Sequence, residues 1–221
     1  MKCLLCGQPL RWALRLTELV RLQALVAPRL CAGCLRTFDR IDQRTACPGC
    51  GRADSPQLCQ DCRRWQDQGL MLLQHRAVFT YNPAMKAFIQ QYKGLGDWRL
   101  HVAFQPDLQP PRRGVLVPIP SEAGHYARRG FDPVLGLFSH LPLHQWLHKA
   151  DTDQPQAQKN RTGRLATPQS FSVRPDVEFG RVKRVILVDD LYTTGRTLYH
   201  AAAALRAGGF HGEITSFSLI R

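Results

Sequence analysis

Four Cys-x-x-Cys pairs carry every cysteine of this 221-residue chain, and all lie before residue 63: Cys3/Cys6, Cys31/Cys34, Cys47/Cys50 and Cys59/Cys62. Chance would scatter eight cysteines along the whole chain. Zinc takes four ligands in a tetrahedron, and a tight turn delivers two of them two residues apart. Glycines and a proline stand where such turns need them, in "CLLCGQP", "CAGC" and "CPGCGR". Nothing marks the chain as secreted, so disulfides are the weaker reading. A redox pair would open a helix beside a βαβ pattern, and four copies in a row do not look like that. The expectation is two structural Zn²⁺ ions held by all eight cysteines. Four pairs can combine in three ways; sequential combination closes the shortest loops and is preferred. Between the first two pairs, Leu16, Leu19, Val20, Leu22, Leu25 and Val26 have helical spacing closed by Pro28. Zinc with four sulfur ligands has no open position for chemistry, so residues 1–70 are expected to form a zinc-binding module that presents a surface.

Charge bears on the partner. The chain carries 30 Lys and Arg against 17 Asp and Glu, a formal charge of +13. Eight thiolates and two dications together remove four charges and leave +9, which still favours a polyanion: nucleic acid, nucleotide or membrane surface. No apolar run approaches the roughly 18 to 20 residues of a membrane span. The opening "MKCLLCGQPL" is too short and too rich in cysteine for a signal peptide. A cytoplasmic protein is expected.

From residue 71 the pattern changes. "RAVFTYN" alternates like a strand, and "PAMKAFIQQYKGLGDWRL" reads as a helix with Pro83 near its start and Gly94 ending it. "VLVPIP" is a short apolar strand stopped by prolines. "DPVLGLFSHL" reads as a helix, "HQWLHK" as a strand and residues 150–170 as a polar loop. "RVKRVILVDD" is the strongest strand, "GRTLYHAAAALRAGGF" a helix ended by Gly208 and Gly209, and "GEITSFSLIR" a last strand. Strands alternating with helices predict an α/β fold, a parallel doubly wound sheet over residues 71–221.

The stretch "VILVDDLYTTGRTL" (185–198) locates the site. A continuous apolar run is the mark of a buried parallel strand, and ligands bind beyond the carboxyl ends of such strands. Asp189 and Asp190 fall at that edge. The turn after them opens a helix whose first N–H groups and dipole favour an anion. Gly195 permits an open backbone, and Thr193, Thr194 and Thr197 add hydroxyl donors. A phosphate explains the loop but not the acids, which need donors or a cation. A ribose 5-phosphate meets both demands, with its phosphate in the loop and its 2′- and 3′-hydroxyls on the carboxylates. The rival, a nucleotide hydrolase that holds Mg²⁺ on the strand acid, needs a Gly-Lys phosphate loop, and no Gly-Lys dipeptide occurs here.

These residues closely resemble the phosphoribosyl pyrophosphate (PRPP) signature of class I phosphoribosyltransferases, and "VPIP" resembles their pyrophosphate loop at Pro118 and Ile119. The full layout is similar to the ComF family: cysteine knuckles, a "VPIP"-like strand, Arg129-Gly130-Phe131, then the Asp-Asp-Leu-Tyr-Thr-Thr-Gly turn. The resemblance implies a phosphoribosyltransferase-like domain whose PRPP site uses Asp189, Asp190, Thr193, Thr194, Gly195, Arg196 and Thr197, with Mg²⁺ accompanying PRPP. It also implies natural transformation: an accessory protein acting on incoming single-stranded DNA with the translocating ATPase ComFA, at the inner face of the membrane. If the site turns over, Asp189 and Asp190 are the catalytic acids. A transferase on an unidentified acceptor and a PRPP-sensing nucleic-acid-binding regulator are the alternatives. Two basic stretches, 125–133 and 159–164, are candidate lids or DNA contacts through Arg128, Arg129, Lys159 and Arg161. Residues 112 to 164 carry eight Lys and Arg against four acids. The family's usual Asn-Gln after Arg-Gly-Phe is here Asp132-Pro133, which replaces a donor by an acceptor and removes an N–H.

Overall fold

A computed structural model describes residues 1–10, 28–150 and 169–221. The helix expected over Leu16–Val26, and Lys159 and Arg161, lie outside the described residues. In chain order the elements are α1 (Ala32–Leu35), α2 (Gln60–Asp67), β1 (Arg76–Phe79) and α3 (Pro83–Ile89), which runs on as a π-helical turn over Gln90–Gly94. A 3₁₀ turn (Trp98–Val102) leads to β2 (Val115–Pro118), α4 (Ala123–Arg129), α5 (Pro133–Leu137) and β3 (Leu147–Lys149). The last elements are β4 (Phe171–Val173), β5 (Arg184–Leu191), α6 (Arg196–Ala207) and β6 (Glu213–Ile220).

The predicted parallel sheet is present, with helices packed against it. Four strands lie in the order β1-β6-β5-β2, every neighbouring pair parallel. Val185, Ile186, Leu187 and Val188 are wholly buried, as a strand covered on both faces requires. Alternation sends them to different layers. Val185 and Leu187, with Val117, meet Leu198, Ala201 and Leu205 of α6, together with Trp65 and the cysteines of the second group. The alanines bring α6 close to the sheet. Ile186 and Val188, with Leu116 and Phe217, meet Met85, Phe88, Tyr92, Phe104, Leu137 and Phe138, and Cys3 of the first group belongs to this layer. Phe38, on the loop after α1, inserts edge-on between Phe79, Phe88 and Phe104, with centroids 4.9 to 6.4 Å apart. Each cysteine group thus packs on a different face of the sheet, the second wholly buried and the first through Cys3.

β3 and β4 do not join the sheet. They pair with each other as an antiparallel ribbon (Leu147↔Val173, Lys149↔Phe171) that packs on α6. β4 falls just after the stretch read as a loop: three residues are too few to show a period. The segment of Arg128 and Arg129 is helical, and Gly130 ends it at φ +77 in the left-handed conformation that suits glycine. No helix of the described residues is long and apolar enough to cross a membrane.

Gly136 in α5 marks the tightest contact of the α3 layer. A Cβ there would lie 2.4 Å from the Tyr92 hydroxyl and 2.6 Å from the Trp98 ring. Tyr92 is fixed by its hydroxyl, which donates to the Pro133 carbonyl at 2.8 Å. Gly136→Ala should therefore cost about 1–3 kcal/mol by overpacking, measured as a lowered denaturant midpoint with unchanged slope.

Candidate functional site

The eight cysteines form two groups in chain order, Cys3/Cys6/Cys31/Cys34 and Cys47/Cys50/Cys59/Cys62, with all sulfurs of a group within 4.8 Å of one another. The sequential pairing is the one observed. A zinc–sulfur bond of about 2.3 Å in a tetrahedron sets sulfurs roughly 3.8 Å apart. Cys3 and Cys34 are at 3.8 Å, Cys6 and Cys31 at 3.7 Å, Cys47 and Cys62 at 3.7 Å, and Cys50 and Cys59 at 3.4 Å. Backbone N–H groups of Cys31, Cys34 and Cys59 donate to the sulfurs of Cys3, Cys31 and Cys47 at 3.3 to 3.4 Å, as suits thiolate ligands. Both groups join a turn to the start of a helix, for Cys31 precedes α1 and Cys59 precedes α2. A helix start is where a redox pair would stand, but each of these pairs closes on a second pair to make four sulfurs. The residues present fit zinc in both groups.

At the other end of the sheet, β5 outruns its neighbour. β2 stops at Pro118, opposite Val188, while β5 continues beside β6 to Leu191. Asp189 and Asp190 are left unflanked on the β2 side and line a cavity of about 470 Å³. Ile119, Pro120 and Ser121 form one wall, and Thr193, Thr194, Arg196 and Thr197 another. Arg129 and His125 of α4, Lys93 of the π-helical turn and Lys149 of β3 complete it, with Glu122, His200, Gln90 and Tyr81. The acids and the turn expected to hold an anion therefore share one space. Pro118 is buried at the end of β2, and Ile119 after it reaches the cavity. Arg128 is exposed and donates to His125 Nδ1 at 2.9 Å. Gly195 (φ +84) precedes α6, and a Cβ on it would lie 2.3 Å from the Tyr192 hydroxyl.

The two carboxylates are treated differently. Asp190 pairs with Lys93. Asp189 accepts the Asp190 N–H at 2.9 Å; burial, aided by the charge of Asp190 and opposed by Lys93, pushes its pKa up to about 8. One acid is thus held with a cation and the other is mostly protonated near neutrality. On the facing wall, buried Glu122 pairs with Lys149 at 3.1 Å. His125 is held below its ordinary pKa by burial and by Arg129 and Arg128, and His200 by burial and Arg196, which favours the neutral imidazole in both.

Sequence reasoning missed Lys93, Glu122 and Lys149. Lys93 projects into the cavity through a π-helical turn, which has no sequence signature. Glu122 and Lys149 are far apart in the chain and meet only in the folded structure. Asp132, read in sequence as a lost donor, caps α5: Oδ1 accepts from the N–H groups of Val134 and Leu135 at 2.8 and 3.0 Å, and Oδ2 from that of Ser121 at 2.9 Å. Three donors converge on one carboxylate, and an amide would turn its NH₂ toward one of them. Asp132→Asn should cost about 1–2 kcal/mol in chemical denaturation.

A second expectation concerns pH. Because Asp189 binds its proton more tightly folded than unfolded, its ionisation costs stability from its ordinary pKa of 3.8 upward, and in full above about 8. Asp189→Asn, neutral at every pH, should raise the melting temperature more at about pH 9 than at about pH 5. An equal gain at both would contradict the shift.

No protein-family model matches the chain. Two curated proteins align with it along its length. The competence protein ComFC of Streptococcus pneumoniae (strain ATCC BAA-255 / R6) is 36% identical over 230 residues, covering 100% of both chains. The competence protein ComFC of Bacillus subtilis (strain 168) is 34% identical over 238 residues, covering 99% of this chain and 94% of its own.

Proposed function

The chain belongs to the ComF family, as a relative of the ComFC competence proteins, and on that premise we propose that it acts in natural transformation, handling incoming single-stranded DNA beside a ComFA-type translocating ATPase at the inner face of the membrane, with a PRPP-type phosphosugar site in its sheet domain. The observation that carries the phosphosugar reading is the single cavity that joins Asp189 and Asp190 to the Thr193–Thr197 turn. No simple anion wants both.

In this reading the 5-phosphate rests on the turn and the first N–H groups of α6, with the hydroxyls of Thr193, Thr194 and Thr197. The ribose hydroxyls donate to the carboxylates. Lys93 then exchanges Asp190 for a phosphate oxygen, so the site keeps its cation paired with and without ligand. The pyrophosphate lies along Ile119, Pro120 and Ser121, toward Arg129. Mg²⁺ bound with PRPP would supply charge neutralisation. Arg128 and the basic surface of a chain with charge +13 would hold the DNA backbone.

Phosphoribosyl transfer is the second reading. It is favoured by Glu122, Lys149 and His125, polar groups on the wall facing the acids that a phosphosugar alone does not require.

Calorimetry of the full chain with PRPP and Mg²⁺, then with short single-stranded DNA, tests the proposal. PRPP should bind, and Asp189→Ala with Asp190→Ala should abolish binding. DNA affinity should fall steeply with salt and drop at least about tenfold in Arg128→Ala with Arg129→Ala. DNA affinity independent of salt would count against the DNA role, and absence of PRPP binding against the phosphosugar role. Pyrophosphate release that needs an added acceptor would favour transfer.

A further inference from the structure

The turn expected to hold a phosphate is tied from behind to the second cysteine group. Trp65 of α2, three residues after Cys62, donates its indole N–H to the Thr194 carbonyl at 3.0 Å. Arg221, which follows β6, is shared between the two. Its Nη1 donates to the Thr193 carbonyl at 3.0 Å, its Nη2 to Cys50 Sγ at 3.2 Å and its Nε to the Cys50 carbonyl at 3.2 Å. The same guanidinium lies over the Tyr192 ring at 4.5 Å and 3.6 Å from Asp61. Both side chains are deeply placed: Trp65 is 3% exposed and the Arg221 side chain 7%.

The consequence follows from peptide geometry. In a planar trans peptide the N–H points opposite to the C=O of the same unit. Fixing the Thr193 and Thr194 carbonyls toward the cysteine group turns the N–H groups of Thr194 and Gly195 the other way, toward the side on which Thr193, Thr194 and Thr197 line the cavity. An anion site made of backbone N–H groups is only as good as their prior orientation. The Cys50 knuckle positions Arg221, and α2, which begins at Cys59 and Cys62, positions Trp65. Both knuckles depend on their shared metal.

We propose that Trp65 and Arg221 are positioning residues that preset the phosphate-binding turn from the second tetracysteine group, so that phosphosugar affinity and zinc retention in that group are coupled. The proposal rests on the phosphosugar reading above for its ligand, but not for its mechanical part.

The experiment uses the full chain with both zincs. Trp65→Phe keeps an aromatic ring beside Tyr199, whose ring centroid lies 4.5 Å from that of Trp65, and removes the N–H with the pyrrole part of the indole. Arg221→Gln removes the fork. Arg52→Gln removes another cation beside the same Asp61 and does not touch the turn. With two zincs per chain confirmed by mass spectrometry, Trp65→Phe should weaken PRPP binding about three- to tenfold, Arg221→Gln more, and Arg52→Gln less than about twofold. Reciprocity requires that PRPP raise the zinc affinity of that group, read as more chromophoric chelator needed at equilibrium to remove one of the two zincs, and that this protection shrink in Trp65→Phe. Unchanged PRPP affinity in Trp65→Phe, or equal loss in Arg52→Gln, overturns the proposal. If the unsubstituted chain does not bind PRPP, the phosphosugar reading falls, and amide hydrogen exchange of residues 192–197 decides the rest: faster exchange in Trp65→Phe and Arg221→Gln sustains the coupling, and unchanged exchange overturns it. Should Arg221→Gln fail to fold, Trp65→Phe carries both measurements.

Discussion

Adjacent residues of a β-strand cannot point the same way, and the site depends on that constraint. Asp189 and Asp190 end a strand buried on both faces, so one follows Val185 and Leu187 toward the α6 layer and the other follows Ile186 and Val188 toward the α3 layer. Only the second can meet Lys93. The repulsion expected of neighbouring carboxylates is relieved without moving either: one is paired, and the other is left where burial favours its proton. The pair is open to a ligand because β2 stops three residues short of β5.

The cysteine groups serve the same sheet from opposite sides. A strand with no polar face needs two covers, and α6 and the α3 layer supply most of each. What they leave open is closed in one layer by Cys3, Leu30 and Phe38, and in the other by Cys47, Cys50, Cys59, Cys62 and Trp65. A metal held by the knuckles would therefore also order residues against the sheet. Trp65 and Arg221 carry that order a further step, to the backbone of the turn after β5.

Much of this was legible in the sequence, for physical reasons that can be named. The Cys-x-x-Cys spacing is local chemistry, and the shortest loops gave the observed pairing. "VILV" declares a doubly covered strand, and Gly208-Gly209 ends α6 where read. The turn of Thr193–Thr197 faces the acids because a strand and the helix after it fix that geometry. What stayed hidden depends on distance. Lys93 reaches the cavity through one π-helical turn, Lys149 through a ribbon three residues wide on each side, and Arg221 through the register of β6 on β5. Asp132 is hidden for a different reason. Its exchange of a donor for an acceptor is legible, but that the fold surrounds it with three donors is not.

Charge bounds how the two proposed ligands can share the protein. The cavity is lined by Lys93, Arg129, Lys149 and Arg196 against Glu122, Asp189 and Asp190. Two of those cations are already paired with acids inside the same space. With Asp189 holding its proton the cavity keeps a modest excess of positive charge, partly tied up in ion pairs, and favours a ligand whose anionic and hydroxyl ends match where the charges sit. Among the described residues, further positive charge lies outside the cavity on exposed side chains such as Arg128. A phosphodiester strand would be attracted to that outer surface, and would reach the cavity only by an end that offers a terminal phosphate beside free sugar hydroxyls. The distribution of charge therefore separates the proposed phosphosugar pocket from the proposed backbone track, and α4, which places Arg129 in the cavity and Arg128 outside it, is the element on which the two would meet.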